Sequence, residues 1–235
     1  MAMRLNKYIA VSGLCSRRNA EKYILEGRVT INNKTVTDLS YKINEENDEV
    51  CVDGEKIKPK RHIYILLNKP KGVITSTKDE KNRKTVIDIV KSKEKIFPVG
   101  RLDYNTTGVL LLTNDGDFSN LLTHPKHKIR KTYTSVLNRP LTNEDEIKLL
   151  KGVFINGRKG KFIKIKFPDI KKKMRMEISV VEGRNHFIKD MFSALGYNVL
   201  ELDRKYFGQF EADIPLGKYR VISNEEIKSV YKNYN

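Results

Sequence analysis

The sequence predicts an α+β fold in two parts: a small helix-and-strand unit, then a larger domain on a mixed, largely antiparallel sheet. Helical and strand-like segments are interleaved without the regular alternation of a parallel βαβ protein. Strands outnumber helices after residue 64, and a charged, proline-bearing stretch, Lys58-Pro59-Lys60-Arg61, separates the two parts. The expected division is 1–58 for the first domain, 59–63 for a linker and 64–235 for the second.

In the first part, Leu5, Tyr8, Ile9 and Val11 fall on one helical face that Gly13 ends. Ser16 is the expected N-cap of a second helix, Arg17 to Glu26, with Ala20, Tyr23 and Ile24 inward and Gly27 as its stop. Val29 to Ile31 and Val50 to Val52 read as strands, followed by the tight turns Asn32-Asn33 and Asp53-Gly54. Met1-Ala2 is given no structural role. Arg17, Arg18 and Lys22 project from the polar face of the second helix, and Arg4, Lys7, Arg28 and Lys34 extend that basic rim.

The second part opens with a strand from Tyr64 to Leu67. The turn Lys69-Pro70-Lys71-Gly72 leads into Val73 to Thr75, which predicts a hairpin. A short helix from Thr85 to Val90 and strands at Ile96 to Val99 and Val109 to Thr113 follow, then a turn at Asp115-Gly116 and a helix reaching Leu122. Arg130 to Val136 alternates as a strand, and Thr142 caps a helix to Leu150. Two strands, Phe162 to Phe167 and Met174 to Val181, precede a helix from Asn185 to Leu195 with Ile188, Met191, Phe192 and Leu195 on its apolar face. Val199 to Leu202 is a last strand before a charged loop, and Ser223 to Glu226 forms the capping box of the final helix.

Composition narrows the function classes. The chain has 235 residues, with 46 Lys and Arg against 29 Asp and Glu, a net charge of +17. Residues 1–34 hold seven basic and two acidic side chains, whereas 35–62 hold five and seven. Charge clustered in this way suits phosphate binding better than mere solubility does. No stretch approaches the roughly 20 apolar residues that cross a bilayer, and the apolar run from Tyr8 to Cys15 runs into Arg17 and Arg18, unlike a secretory signal. Two cysteines and four scattered histidines lack metal-site spacing. The expectation is a cytoplasmic protein without a metal.

The densest polar constellation is Gly100-Arg101-Leu102-Asp103-Tyr104-Asn105-Thr106-Thr107-Gly108, between two apolar strands. If Arg101 to Asp103 is extended, alternation places Arg101 and Asp103 on one side and turns Leu102 into the core. A neighbouring guanidinium favours the carboxylate form, available as nucleophile or base. The same residue types also build ordinary turns. The basic stretch from Lys159 to Arg175 reads equally as a nucleic-acid-binding rim or as a charged sheet edge. The histidines, His186 included, have no Ser or Cys partner and read as structural or RNA-facing.

Two resemblances sharpen this reading. "RLNKYIAVSGLCSRRNAEKYILEGRVTINNKTV" resembles the S4 RNA-binding domain over Arg4 to about Lys58. "NKPKGVITS", "FPVGRLDYNTTGVLLLTNDGDF", "IRKTYTSV", "EGRNHFIKDMF" and "LDRKYFGQFEADIPLGKYRVIS" resemble, in order, the motifs of the RsuA-type pseudouridine synthases. That resemblance implies isomerisation of a uridine in ribosomal RNA, a reaction that needs no cofactor; a large partner and the lack of an amphipathic dimer seam in the sequence make a monomer the expected form. The resemblance implies Asp103 as the catalytic aspartate, Tyr133 as the ring that stacks on the uracil and Lys189 as the basic partner of the aspartate. Lys69, Lys71, Arg101 and Arg204 match positions near the cleft, with phosphate contact as the generic role. The reaction breaks the N1–C1′ bond and joins C5 to C1′, by a covalent or a glycal route that the residues do not separate. Phe187 and Asp190 depart from the family pattern, which has glutamine and a second basic residue there. The alternative reading is a non-catalytic RNA-binding or ribosome-assembly protein.

Overall fold

The computed structural model describes residues 2–170 and 172–234; Met1, Asn235 and, within the basic 159–175 stretch, Lys171 lie outside the described residues. The chain divides into two compact units between Ile63 and Tyr64.

In the first unit, β1 (Ala2–Arg4) runs straight into α1 (Leu5–Val11), and α2 (Arg17–Leu25) follows. Ser16 caps α2 by accepting the Asn19 N–H at 3.3 Å, and Gly13 and Gly27 leave the two helices at φ +79° and +70°. The strands are β2 (Val29–Ile31), β3 (Lys34–Thr35), β4 (Lys42–Asn44), β5 (Val50–Val52) and β6 (Glu55–Lys56), with a four-stranded order β3-β2-β5-β6. Asn32 and Asn33 both take positive φ, 50° and 65°, the primed hairpin turn that their sequence signals. Leu5, Ile9, Ala20 and Ile24 close the core over Val29, Ile43, Val50 and Val52. Ala2 is not idle: β1 pairs with β4, Ala2 opposite Asn44 and Met3 opposite Ile43. The Lys58–Arg61 stretch packs on this unit through the Lys60 N–H, which donates to the Val11 carbonyl at 3.2 Å.

The second unit consists of β7 (Tyr64–Lys69), α3 (Val86–Ile89), β8 (Phe97–Val99), β9 (Thr107–Thr113), α4 (Gly116–Thr123), β10 (Lys131–Leu137), α5 (Asn143–Lys151), β11 (Val153–Ile155), β12 (Arg158–Gly160), β13 (Lys164–Lys166), β14 (Arg175–Val180), α6 (Phe187–Ser193), β15 (Val199–Phe207), β16 (Phe210–Glu211), β17 (Tyr219–Val221) and α7 (Asn224–Tyr234). The main sheet runs β13-β14-β10-β15-β9-β7-β17, with β8 added to β9 and β16 to β15. Its pairings are antiparallel except β15 against β9. The fold is therefore α+β with a mixed, largely antiparallel sheet.

All seven residues of β9 are buried, so this strand is the spine of the unit. On one face Leu66, Val109 and Leu111 pack against Phe118 and Leu122 of α4 and Ile227 and Val230 of α7. Asp115 sets α4 by accepting the N–H groups of Asp117 and Phe118, and Ser223 and Glu226 close the capping box of α7 with bonds of 3.2 and 2.8 Å. On the α6 side, Phe162 packs its ring against Phe187 and Phe192 at centroid distances of 6.1 and 5.4 Å.

Two expectations need correction. The turn after β7 does not close a hairpin, because β7 already has β9 and β17 as neighbours and the Gly72 N–H donates to the Tyr104 carbonyl at 3.0 Å. The residues after Leu202 are not loop: β15 continues to Phe207, carrying Arg204 into the sheet. Of the two readings of the 159–175 stretch, the sheet favours the charged edge. β13 is the outermost strand with Lys164 and Lys166 exposed, while Phe162 is core.

Candidate active site

The loop from Gly100 to Thr106 joins β8 to β9, and its shape is set from beneath. Lys69, at the end of β7, is fully buried, and its Nζ donates to the carbonyls of Thr106, Pro70, Asp103 and Tyr104 at 2.9, 3.0, 3.1 and 3.3 Å. Burial draws this ammonium down to about 8, the Asp103 charge pushes it up and Arg204 pulls it down again. Thr75 Oγ1 donates to the Leu102 carbonyl at 2.7 Å and accepts the Leu102 N–H at 3.3 Å. Lys69 is therefore no phosphate contact: its charge is consumed by backbone oxygens inside the fold.

That loop presents Asp103 to a cleft. Asp103 Oδ2 lies 2.7 Å from Lys189 Nζ, and Oδ1 lies 3.5 Å from His186 Nε2, with the carboxylate side chain 22% exposed. Lys189 stands in the first turn of α6, a helix anchored by the buried Phe187, Ile188, Met191 and Phe192. His186 enters that helix at φ +53°, a left-handed conformation uncommon for a non-glycine residue. Tyr133, on β10, lines the same cleft and is 9% exposed. The structure thus brings the three residues Asp103, Tyr133 and Lys189 to one place.

Arg101 lines the cleft too, but Asp103 pairs with an ammonium and an imidazole and not with the Arg101 guanidinium. Leu102 is turned inward, as alternation predicts. Strand β8 has already ended at Val99, however, and Gly100 takes φ +70°, so the pleat that was to align Arg101 with Asp103 is missing. Arg204 is 2% exposed and faces the cleft from the sheet, too deep for a backbone phosphate on the surface. Lys71 is exposed beside the loop. Phe187 is a core residue with the Arg184 guanidinium 4.9 Å above its ring, and Asp190 accepts from Asn156 Nδ2 at 3.3 Å, so neither departure disturbs the Asp103–Lys189 pair.

Sequence reasoning missed two members of the cleft. His186 stands one helical turn before Lys189, a spacing that brings both to one side. Lys131 stands two residues before Tyr133 on an alternating strand, hence on the same face.

In the first unit, Arg17, Arg18, Lys22 and Lys34 are exposed, and among the described residues no carboxylate pairs with them. Arg4 is exposed and donates to the Leu39 carbonyl at 3.3 Å; Lys7 is half-buried on α1. Arg28 is a correction. Its guanidinium binds Asp53 at 2.6 and 2.8 Å and Glu26 at 3.1 Å and lies over the Tyr23 ring, so it braces the β2–β5 edge.

An unshielded basic helix in one unit, and in the other a carboxylate held between an ammonium and an imidazole beside a tyrosine ring, are the equipment of an enzyme that works on nucleic acid. Residues 63–194 match the RNA pseudouridylate synthase family model and residues 3–50 match the S4 domain model. This chain belongs to the RNA pseudouridine synthase family. It is 39% identical over 230 residues to the ribosomal large subunit pseudouridine synthase B of Bacillus subtilis, covering 96% of this chain and 94% of that protein. To the dual-specificity RNA pseudouridine synthase RluF of Escherichia coli K12 it is 34% identical over 237 residues, covering 98% and 79%. A solved structure described as a pseudouridylate synthase superposes with a TM-score of 0.70 at 32% identity, covering 97% of this chain and 99% of that one.

Proposed function

We propose that this protein converts a uridine of ribosomal RNA into pseudouridine, with Asp103 as the working carboxylate. The observation that carries the reading is the 2.7 Å contact of Asp103 with Lys189 in a cleft that Tyr133 also lines. The relative named for the ribosomal large subunit, matched over nearly its whole length, supports large-subunit RNA as the substrate.

The chemistry suits these groups. A uridine inside folded RNA leaves its stack to reach a side chain, and the ring of Tyr133 receives the uracil face. Asp103 then either adds to C1′ or takes a sugar proton as the N1–C1′ bond opens; both routes need a carboxylate close to C1′. Lys189 holds that carboxylate in one orientation and balances its charge in the cleft. The exposed arginines and lysine of α2 hold the RNA by its phosphates, a sequence-independent grip that leaves target choice to RNA shape and to the cleft.

The test is pseudouridine mapping by carbodiimide-blocked primer extension on large-subunit RNA from a strain lacking the protein. Wild-type protein adds one stop, and Asp103→Asn, which keeps size and fold, adds none while binding the same RNA. The proposal fails if wild-type protein adds no stop on free RNA, subunits or assembly intermediates, or if Asp103→Asn works as well as wild type.

A further inference from the structure

The cleft carries more positive charge than the Asp103–Lys189 pair uses. Lys131 precedes Tyr133 by two residues on β10, and Arg204 lies directly opposite Tyr133 on β15. They are 8% and 2% exposed, and both line the cleft. Among the described residues neither has a carboxylate within ion-pair distance. Arg204 gives its Nε to the Val109 carbonyl at 2.7 Å and lays its guanidinium over Phe207 at 4.7 Å, while its Nη2 is buried without any partner. Lys131 has one long bond, 3.4 Å to the Ile129 carbonyl, and the same Phe207 ring at 5.4 Å. Burial first, and the Arg204 charge second, together pull its ammonium down to about 8.

Two buried cations in each other's field and no acid between them are costly to a fold. Contrast Lys69, a few residues away in space, which satisfies its ammonium with four carbonyls. Spare, preorganised positive charge of this kind is what a site needs where negative charge develops during reaction. An RNA phosphate is a poor candidate for that charge, since exposed Lys71 and Arg101 already offer the rim for it. A uracil stacked on Tyr133 is a better one. Directly opposed residues of an antiparallel pair have their Cβ atoms about 5 Å apart, so Arg204 stands at the edge of any ring that covers Tyr133.

We propose that Lys131 and Arg204 are catalytic residues that hold the uracil as an anion between its release and its reattachment, a role that rests on the reading of Asp103 given above. When the N1–C1′ bond opens, its electron pair stays on the base, spread over N1, O2 and O4. Both routes pass through this species. The pair is returned when C5 bonds to C1′; the C5 proton then leaves and N1 takes one up, so the exchange balances without a further reactant. Cations at the oxygen edge lower the cost of the first event and keep the freed base from escaping while it turns.

The test compares Lys131→Met, Arg204→Met and Arg204→Lys with wild type in single-turnover reactions on two transcripts of large-subunit RNA, one made with uridine and one with 5-fluorouridine. Product is read by nucleoside chromatography, because fluorine on C5 cannot leave as a cation in place of the proton and so stays on a rearranged base. On uridine each Met variant is slowed about 100-fold at unchanged RNA affinity, with Arg204→Lys intermediate. On 5-fluorouridine the loss shrinks to about 10-fold, since the fluorine already stabilises the base anion and less is asked of the protein. Lys131→Met also melts at a higher temperature than wild type, which a structural lysine does not allow. Equal losses on the two transcripts, a loss confined to RNA affinity, or a lower melting temperature in proportion to lost activity overturns the proposal. Should Arg204→Met not fold, Lys131→Met decides alone. If Asp103→Asn is inactive while the Lys131 and Arg204 variants run at the wild-type rate, this inference falls and the reading of Asp103 stands; if Asp103→Asn is active, that reading falls first.

Discussion

Replacing Lys69 by Met keeps the aliphatic stem in its slot and removes one ammonium. Four carbonyls then lose that donor; those of Asp103 and Tyr104 keep the N–H groups of Thr106 and Gly72, whereas those of Pro70 and Thr106 are left with none. A buried acceptor left without a partner costs about 1–3 kcal/mol, so the two cost about 4 kcal/mol. Against this stands relief from burying the charge, whose shift from 10.5 to about 8 corresponds to about 3 kcal/mol. The net expectation is a loss of about 1 kcal/mol in urea unfolding. The greater effect is on catalysis. A carboxylate displaced by about 1 Å costs about 100-fold in rate, and once Lys69 is gone the loop is held by the Thr75–Leu102 bonds and the Gly72–Tyr104 bond, neither of which reaches Asp103 itself. Single-turnover rate, RNA affinity and urea midpoint are measured on the same preparation: the first falls about 100-fold, the second is unmoved and the third drops. A variant that binds RNA weakly but reacts and unfolds like wild type would refute the reasoning and return Lys69 to the surface role that its residue type suggests.

Gly108→Ala places a Cβ 2.3 Å from the Arg204 carbonyl oxygen, at a φ of +103°. The parallel β9–β15 pairing cannot close around it, and urea unfolding is expected to lose 3 kcal/mol or more, about the cost of severe overpacking with backbone strain. Arg17→Ala, Arg18→Ala and Lys22→Ala combined are expected to flatten the slope of log affinity against log salt by about 2 and leave thermal melting unchanged; an unaltered slope removes α2 from the RNA interface. Lys131 sets a pH dependence of stability. Its ammonium is about 8 in the fold and 10.5 unfolded, so the unfolded chain binds more protons between those values and wild-type stability rises there with pH. Lys131→Met lacks that rise. Its advantage over wild type is about 3 kcal/mol below pH 8 and vanishes near 10.5, as paired urea titrations at pH 7 and 10 can measure.

Helix starts were legible because a cap is local: Ser16, Asp115, Thr142 and Ser223 each act within three residues of themselves. The short strands β1, β3, β4 and β6 were not, since, unlike Val29–Ile31 and Val50–Val52, they bury one residue at most and so show no apolar alternation. The continuation of β15 past Leu202 was hidden by its charge. Asp203, Arg204 and Lys205 read as solvent-facing, and a buried guanidinium is an exception that composition rules reject. The same bias concealed Lys69 and Lys131. The candidate site was legible only through ordered motifs, because single carboxylates, tyrosines and lysines are too common to stand out. What the motifs left unread was the third dimension, which put His186 against Asp103 and denied that place to Arg101.

The two ends of the ion pair are mounted differently. Asp103 is clamped from below by a buried cation and a threonine, whereas Lys189 rides on a seven-residue helix entered through a left-handed histidine. Substitution on the helix side, where Phe187 and Asp190 already differ from the family pattern, is therefore expected to move Lys189 while the Asp103 loop stays put. One bank of the channel is bedrock and the other is free to be recut.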